Sequence, residues 1–327
     1  MLTILCSLAQ EESWNLSENT RWGVIRRFEK GIVTVNHNEF MGCTKDKTGQ
    51  LIIVPEEAEA VRKIFRLYLE GKSVIQIARV LEREKIKTAT GNDKWHDAVI
   101  YKMLQNEKYK GDAILQKSFT ADFLTKKSVM NNGEIQKFYV EEDHEAIIKP
   151  RIWECVQLEI KRRKKYLEEH GTNSYSNNTE KNPFASKIVC GNCNKVFARK
   201  GWRSSTGVDR KVWQCSERYK VKGIMRCSNH HVEEKTLEKA YMIAWNALAA
   251  NRECFLERWQ LQRQSENLLA SYRAEKFIEY TDREEQLTEM DTDFMLKTLI
   301  HIKVFEDGFL KVVFMDGTEI ECKNEEE

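Results

Sequence analysis

The stretch that decides the fold is KIVCGNCNKVFARKG (187–201), read with RKVWQC (210–215) and the isolated Cys227. Cys190 and Cys193 form a Cys-x-x-Cys knuckle, which lets two thiolates grip one tetrahedral metal from a tight turn. Gly191 and Asn192 suit that turn. Cys215 and Cys227 complete four soft ligands, a set that favours zinc. Four thiolates close the coordination shell and leave no place for a reacting water, so the expected zinc is structural. The second pair is not a tight knuckle, and His230 or His231 could stand in for Cys227. A redox Cys-x-x-Cys is the competing reading, but no βαβ pattern surrounds the motif. The flanking KVFARKG and RKVWQC read as short strands, so the expected module is a zinc ribbon. Arg199, Lys200, Arg203, Arg210 and Lys211 project from it, interleaved with Trp202 and Trp213, as suits a surface for a phosphate backbone.

Outward from the ribbon, charge is uneven. The 327 residues carry a net charge of only +2. Yet residues 187–226 hold 11 Lys/Arg against 2 Asp/Glu, and residues 275–327 hold 6 against 16. A basic block of this kind is a footprint for a polyanion, nucleic acid first, with a merely solvated surface as the plain alternative. At 41% hydrophobic and 32% charged the composition is globular, and no apolar run reaches membrane-span length. The nine cysteines are odd in number and no secretory leader is visible, which argues against a disulfide framework and for a reducing cytoplasm.

Upstream, VPEEAEAVRKIFRLYLEG (54–71) signals a helix. Pro55 suits its first position, Glu56 and Glu57 its first turn, and Gly71 its end. Ala58, Val61, Ile64, Phe65, Tyr68 and Leu69 make one apolar face. Ser73 and Gln76 form a capping box for the next helix, whose buried stripe is Ile77, Val80 and Leu81. After the loop KTATGND, WHDAVIYKML (95–104) turns Trp95, Ile100, Met103 and Leu104 inward and leaves His96, Asp97, Val99, Tyr101 and Lys102 on other faces. This pattern suits a helix-turn-helix, with a plain helical hairpin as the alternative. EAIIKPRIWECVQLEIKRRKKYLEEH (145–170) is a further amphipathic helix, and its basic run Lys161–Lys165 reads as a solvated face. GTNSYSNNTEKNP (171–183) has linker composition. Beyond the ribbon, 232–250 reads as a helix and 252–297 as mostly helical. The tail 299–322 reads as a hairpin about Asp307-Gly308 with a second turn at Asp316-Gly317, burying Ile302, Val304, Phe309, Val312 and Phe314.

The first residues, MLTILCSLAQEESWNLSENTRWG (1–23), fail as a signal peptide. They carry no Lys or Arg before Arg21, and Glu11 and Glu12 follow the short apolar stretch. Leu2, Leu5, Leu8, Ala9 and Leu16 recur at helical spacing until Gly23.

In this order the pieces resemble the C-terminal part of a large serine recombinase, the family of phage integrases and transposon resolvases. Residues 42–112, with Trp95, Leu104, Asn106, Tyr109 and Gly111, resemble its recombinase domain. KIVCGNCNKVFARK, WQC and RCSNH resemble its zinc ribbon, and LAQEESWNLSENTRWG (8–23) is similar to the long helix that ends its catalytic domain. The resemblance implies an α+β fold in three parts: a terminal helix (1–23), a helix-turn-helix recombinase domain (24–141), and a zinc-ribbon domain with helices and a β-hairpin (142–327). It implies site-specific DNA recombination, the integration or excision of a mobile element, with this chain supplying attachment-site recognition. The family's serine nucleophile and arginines match no residues here, so no catalytic residue is assigned; Ser7, Ser13 and Ser17 lack an arginine cluster. Glu12 is expected to be structural.

The expected DNA contacts are Arg26 and Arg27 across the minor groove, His96, Val99, Tyr101 and Lys102 in a major groove, Lys108 and Lys110 nearby, and the five ribbon basics. Asp97 could accept from a cytosine amino group or simply cap its helix. The implied cofactor is structural Zn2+ on Cys190, Cys193, Cys215 and Cys227. The implied partners are double-stranded attachment-site DNA, a second copy per site with a tetramer in synapsis, and a directionality factor; no membrane is expected. Two departures stand out. Cys43 replaces an aromatic, and 252–297 is short for the coiled-coil arm of many phage integrases, which leans towards a transposon-type enzyme. The competing readings are a catalytically inactive DNA-binding repressor or competitor and a zinc-stapled protein-interaction module.

Overall fold

In the computed structural model the first helix, α1 (Leu2–Glu29), runs straight through Gly23. The weakening expected there does not end the helix, because a glycine in a helix interior costs only about 1 kcal/mol and the turns around it remain good helix formers. The connector therefore begins after Glu29, where Gly31 takes φ +67. The structure describes residues 2–33, 39–47, 49–122, 125–176, 178–179, 181–203, 209–282 and 286–323, with side chains from residue 10 onward, Asp209 excepted. The stripe positions Leu2, Leu5, Leu8 and Ala9, and the hydroxyl of Ser7, thus lie outside the described side chains. Leu16 faces solvent, as do Trp14 and Trp22.

There follow β1 (Cys43–Lys45), β2 (Leu51–Ile53), α2 (Pro55–Leu69), α3 (Val74–Arg83) and α4 (Asp97–Leu104). A 3-10 turn at Glu107–Lys110 leads to β3 (Ala113–Leu115), β4 (Ser118–Asp122), β5 (Lys127–Met130) and β6 (Phe138–Val140). Next come α5 (Pro150–His170), β7 (Ile188–Cys190), β8 (Phe197–Arg203), β9 (Asp209–Cys215) and β10 (Val232–Glu233). The chain closes with α6 (Glu234–Ala250), α7 (Arg252–Arg263), α8 (Leu268–Tyr280), α9 (Thr292–Thr298), β11 (Leu299–Val304), β12 (Phe309–Phe314) and β13 (Glu319–Lys323). Among the described residues no helix is long and apolar enough to cross a membrane.

Two compact units result, and their boundaries fall inside α2 and α5. The first comprises residues 1–63, 85–94 and 105–153. Its β1–β2, β3–β6 and β4–β5 pairs are antiparallel. Phe40 stacks on Tyr109 at 5.0 Å, beside the buried Ala58, Val61, Ile147 and Ile148. Gly42 takes φ +95, and a Cβ there would lie 2.5 Å from Ile147 Cδ1, so the position needs glycine.

The second unit comprises 64–84, 95–104 and 154–327. The capping box forms: Ser73 Oγ accepts from Gln76 N–H, and the Gln76 side chain accepts from Ser73 N–H at 2.8 Å. Ile77 and Leu81 are buried, but Ala78 replaces Val80 as the third inward residue, because α3 turns its Ala78 edge to the core. Trp95, Ile100, Met103 and Leu104 all face inward as expected. Residues 84–96 join α3 to α4, far more than the three to four residues of a helix-turn-helix turn; a short glycine turn at 70–73 instead joins α2 to α3. Gly71 in that turn takes φ +91, and a Cβ would meet Leu296 O at 2.1 Å.

The C-terminal hairpin grows to a four-stranded sheet in the order β13-β12-β11-β7. Its last pair, β11 with β7, is parallel, with Val304 opposite Cys190. Ile302, Val304, Val312 and Phe314 are buried, but Phe309 is exposed and Leu310 takes its place, because strand alternation puts 310, 312 and 314 on one face. Residues 171–183 are no solvated linker: Tyr175, Ser176 and Asn178 are buried, and Asn178 Nδ2 donates to Pro183 O and Ala185 O.

The basic run on α5 also departs from a solvated face. Arg162 and Arg163 turn inward to a buried Glu159, which Arg273 of α8 joins at 2.7 Å. Arg162 is bidentate on Glu159, with both bonds at 2.8 Å. Arg163 also donates to Tyr68 O at 2.6 Å and Lys72 O at 2.8 Å. Tyr175 stands beside Arg162 and below the buried Lys187 ammonium, 4.1 Å from the ring centre. The i, i+3 and i, i+4 spacing from Glu159 put all three charges on the same helix face.

Candidate metal centre and nucleic-acid interface

Cys190 ends β7 and Cys215 ends β9, while Cys193 sits on the knuckle and Cys227 on the coil before β10. The knuckle closes through Asn194 N–H to Cys190 O at 2.9 Å and Cys190 N–H to Lys195 O at 2.8 Å. Asn194 takes φ +60 and makes the turn possible. Gly191 is needed for a different reason than the turn: a Cβ there would lie 2.6 Å from Phe305 Cδ1 and 2.8 Å from Val304 O. The four sulfurs lie within 4.8 Å of one another, with Cys190 to Cys227 at 3.6 Å and Cys193 to Cys215 at 3.4 Å. Zinc–sulfur bonds of about 2.3 Å place tetrahedral sulfurs about 3.8 Å apart, so the cluster fits that ion. Asn229, fully buried, donates to Cys190 Sγ at 3.2 Å and to Val304 O at 2.7 Å, an outer partner that orients the ligand. Neither His230 nor His231 joins the four-residue group; His231 packs on Trp202 with ring centres 4.4 Å apart.

β8 and β9 pair antiparallel from Phe197↔Cys215 to Arg203↔Asp209. This ladder sorts the ribbon basics into two kinds. Arg199 is bidentate to Glu234 at 2.5 and 2.6 Å, and the Trp213 indole N–H shares that carboxylate at 3.0 Å. Arg199 thus anchors α6 to the ribbon. Lys200, Arg203, Arg210 and Lys211 are exposed, and Arg210 makes one long contact with Glu233 at 3.5 Å.

His96, just before α4, and Asp97, Val99, Tyr101 and Lys102 on it are all exposed. Asp97 Oδ1 accepts from Ala98 N–H at 2.9 Å, so its carboxylate sits at the helix start as a cap does. Together these side chains combine donors, acceptors and an apolar contact, the set that base edges require. Trp95 N–H donates to Glu82 at 2.9 Å, fixing where α4 begins against α3.

In the first unit, Arg26 and Arg27 are exposed near the end of α1, with Arg26 over Trp22 at 4.7 Å and 3.3 Å from Glu29. Lys108 and Lys110 are mostly buried. Lys108 lies 3.5 Å from Glu107, and Lys110 lies 3.1 Å from Asp112 and 4.7 Å from the Trp153 ring centre. Their charges are met within the unit. The reading from sequence missed the Glu159 cluster, whose signal was the spacing Glu159, Arg162, Arg163. It also missed the exposed loop between Cys215 and Cys227, whose signal was an apolar tip inside a basic segment.

Residues 55–163 match the Recombinase family, and residues 183–245 match the Recombinase zinc beta ribbon domain. A Bacillus subtilis (strain 168) protein named "Putative DNA recombinase" is 26% identical over 241 residues, 70% of this chain. The match covers 46% of that relative, so the chain spans about half the length of the curated relative it matches. A crystal structure of an LSR–DNA complex shares the fold with a TM-score of 0.52 at 15% identity, over 91% of this chain and 99% of that one. With the Recombinase domain followed by the recombinase zinc beta ribbon domain, the chain belongs to the recombinase family.

Proposed function

We propose that this chain recognises double-stranded attachment-site DNA for site-specific recombination, the integration or excision of a mobile element. The observation that carries the reading is the pairing of two DNA-ready surfaces. The outward side of α4, with His96 just before it, offers Val99, Tyr101 and Lys102 for a major groove, and the ribbon offers Lys200, Arg203, Arg210 and Lys211 for phosphates. Arg26 and Arg27, exposed near the end of α1, would follow the backbone into a minor groove. Arg199 is engaged with Glu234, and Lys108 and Lys110 with Glu107 and Asp112, so these three add less to the surface charge. The 24–141 and 142–327 segments would act as two recognition modules, the first reading DNA through the outward side of α4. Zinc held by Cys190, Cys193, Cys215 and Cys227 would tie β7, β9 and the 227 coil together; its part is structural. Two copies would occupy each site and four would meet in synapsis, with a directionality factor choosing the outcome.

The test is DNA binding across salt concentrations, followed by an excision assay with the protein as its source cells make it. Binding should weaken steeply with salt, and Lys102→Ala should flatten the slope by about 1 per lost phosphate contact. An unchanged slope and affinity removes Lys102 from the interface. Tight binding without any recombination favours instead a competitor or repressor that occupies such sites.

A further inference from the structure

Residues 216–226 leave the metal cluster at Cys215 and return to it at Cys227. Backbone bonds draw the two arms together: Arg226 N–H donates to Arg218 O at 3.0 Å, and Ile224 N–H donates to Val221 O at 3.1 Å. Val221 and Ile224 form a β-bridge, and Gly223 makes the tip with φ +81 and open space around it. The base is anchored by the Arg218 guanidinium, which donates to Ser228 O at 2.9 Å and to Asn229 O. This is a short two-armed finger held at both ends by cysteines of the metal cluster.

Its surface is unusual for a segment so well anchored. Tyr219, Val221, Ile224 and Met225 are 56%, 44%, 55% and 57% exposed. Folding does not explain four large apolar side chains turned to water within seven residues, and such patches mark contact sites. Arg218, Lys220, Lys222 and Arg226 surround them. Glu217 is the one acidic residue of the loop, 2.6 Å from Lys220 and 3.7 Å from Arg226. The complement of an apolar tip in a positive rim is an apolar floor between negative walls. The major groove supplies both, thymine methyls between phosphates, and it is wide enough for a two-stranded ribbon.

We propose that the 218–226 finger enters the DNA major groove, with Ile224 and Met225 against thymine methyls and Lys220 and Lys222 against the flanking phosphates. This rests on the DNA-recognition reading above and adds a sequence preference to it.

The probe is a duplex selected by the full chain from a randomised pool, prepared with thymidine and again with deoxyuridine, which removes only the methyls. The wild-type chain should prefer the thymidine duplex by about fourfold per methyl covered. The double variant Ile224→Ser, Met225→Ser should bind both duplexes equally while keeping its metal content and its salt slope, because these side chains are exposed. Lys222→Ala should keep the thymine preference and lower the salt slope by about 1. A wild-type chain that selects no duplex overturns both readings. A chain that selects a duplex without thymine preference, or a double variant that keeps it, overturns the finger alone and leaves the apolar tip to a protein partner.

Discussion

Two polar clusters hold the second unit together, and they differ in how they were written. The four cysteines gather β7, β9 and the coil at 227 into one point. The Glu159 cluster gathers α5, α8, the 70–73 turn and Tyr175. The first uses soft ligands at a spacing that means metal in almost any context. The second uses ordinary charged residues, whose spacing on a helix says only that they share a face. The zinc cluster would derive its strength from bonds to an ion, the Glu159 cluster from excluding water around a charge that is already matched. Three guanidiniums face one carboxylate, so the cluster depends on that carboxylate more than on any single arginine.

The largest effect separating them should come from the metal. Cys190→Ser, or a strong chelator, should unfold the ribbon, since structural zinc contributes about 10 kcal/mol or more to such small modules. Loss of the β8–β9 signal with retention of α2–α3 structure would be the expected pattern by hydrogen exchange; an intact, metal-free ribbon would sink the zinc assignment.

Glu159→Ala comes next. It leaves Arg162, Arg163 and Arg273 buried without their counter-ion, which should cost about 3–5 kcal/mol. Denaturant unfolding would measure it. A cost below about 1 kcal/mol, the level of an exposed pair, would mean the cluster is solvated in solution.

Acid should also distinguish the clusters' surroundings. Burial alone would raise the Glu159 pKa, but Arg162, Arg163 and Arg273 hold the carboxylate well below its usual range. Burial, with the charges of His170 and Lys187, pushes His301 from 6.5 down to about 3. In both cases the unfolded chain binds more protons than the folded one, so stability falls as pH drops. For His301 the loss runs from about 6.5 to about 3. His301→Leu should flatten that part of the stability profile, and the wild-type slope persisting in the variant would assign it elsewhere.

The smallest effect belongs to the ribbon's edge. Arg210→Ala breaks an exposed contact with Glu233 and should change stability by about 0–1 kcal/mol while lowering the salt slope of DNA binding. If stability and not binding falls, Arg210 belongs with Arg199 as an internal anchor.

Much of the fold was legible because the signals were local. Pro55, the Ser73–Gln76 box, Gly71 and the Cys-x-x-Cys knuckle each act within a few residues, and each appears where the pattern placed it. Phe309 and Val80 were misplaced because a one-residue choice of face is settled by what packs opposite. The carboxylate partners of Lys110 and Arg199 were not legible, because a basic residue looks the same in sequence whether it faces water or a carboxylate brought near in space.

The sequence by itself determined that this chain has a capped helix pair, a four-thiol cluster on a ribbon and a basic middle, since spacing and composition carry those properties. Only the tertiary structure decided which charges face inward. Arg163 became a core residue and Arg162 a half-buried one because Arg273, Tyr68 and Lys72, distant in sequence, arrive to share Glu159 and its surroundings. A hydrogen-bonded, paired charge can be buried and an unpaired one cannot, and pairing across that distance is not written in any local pattern.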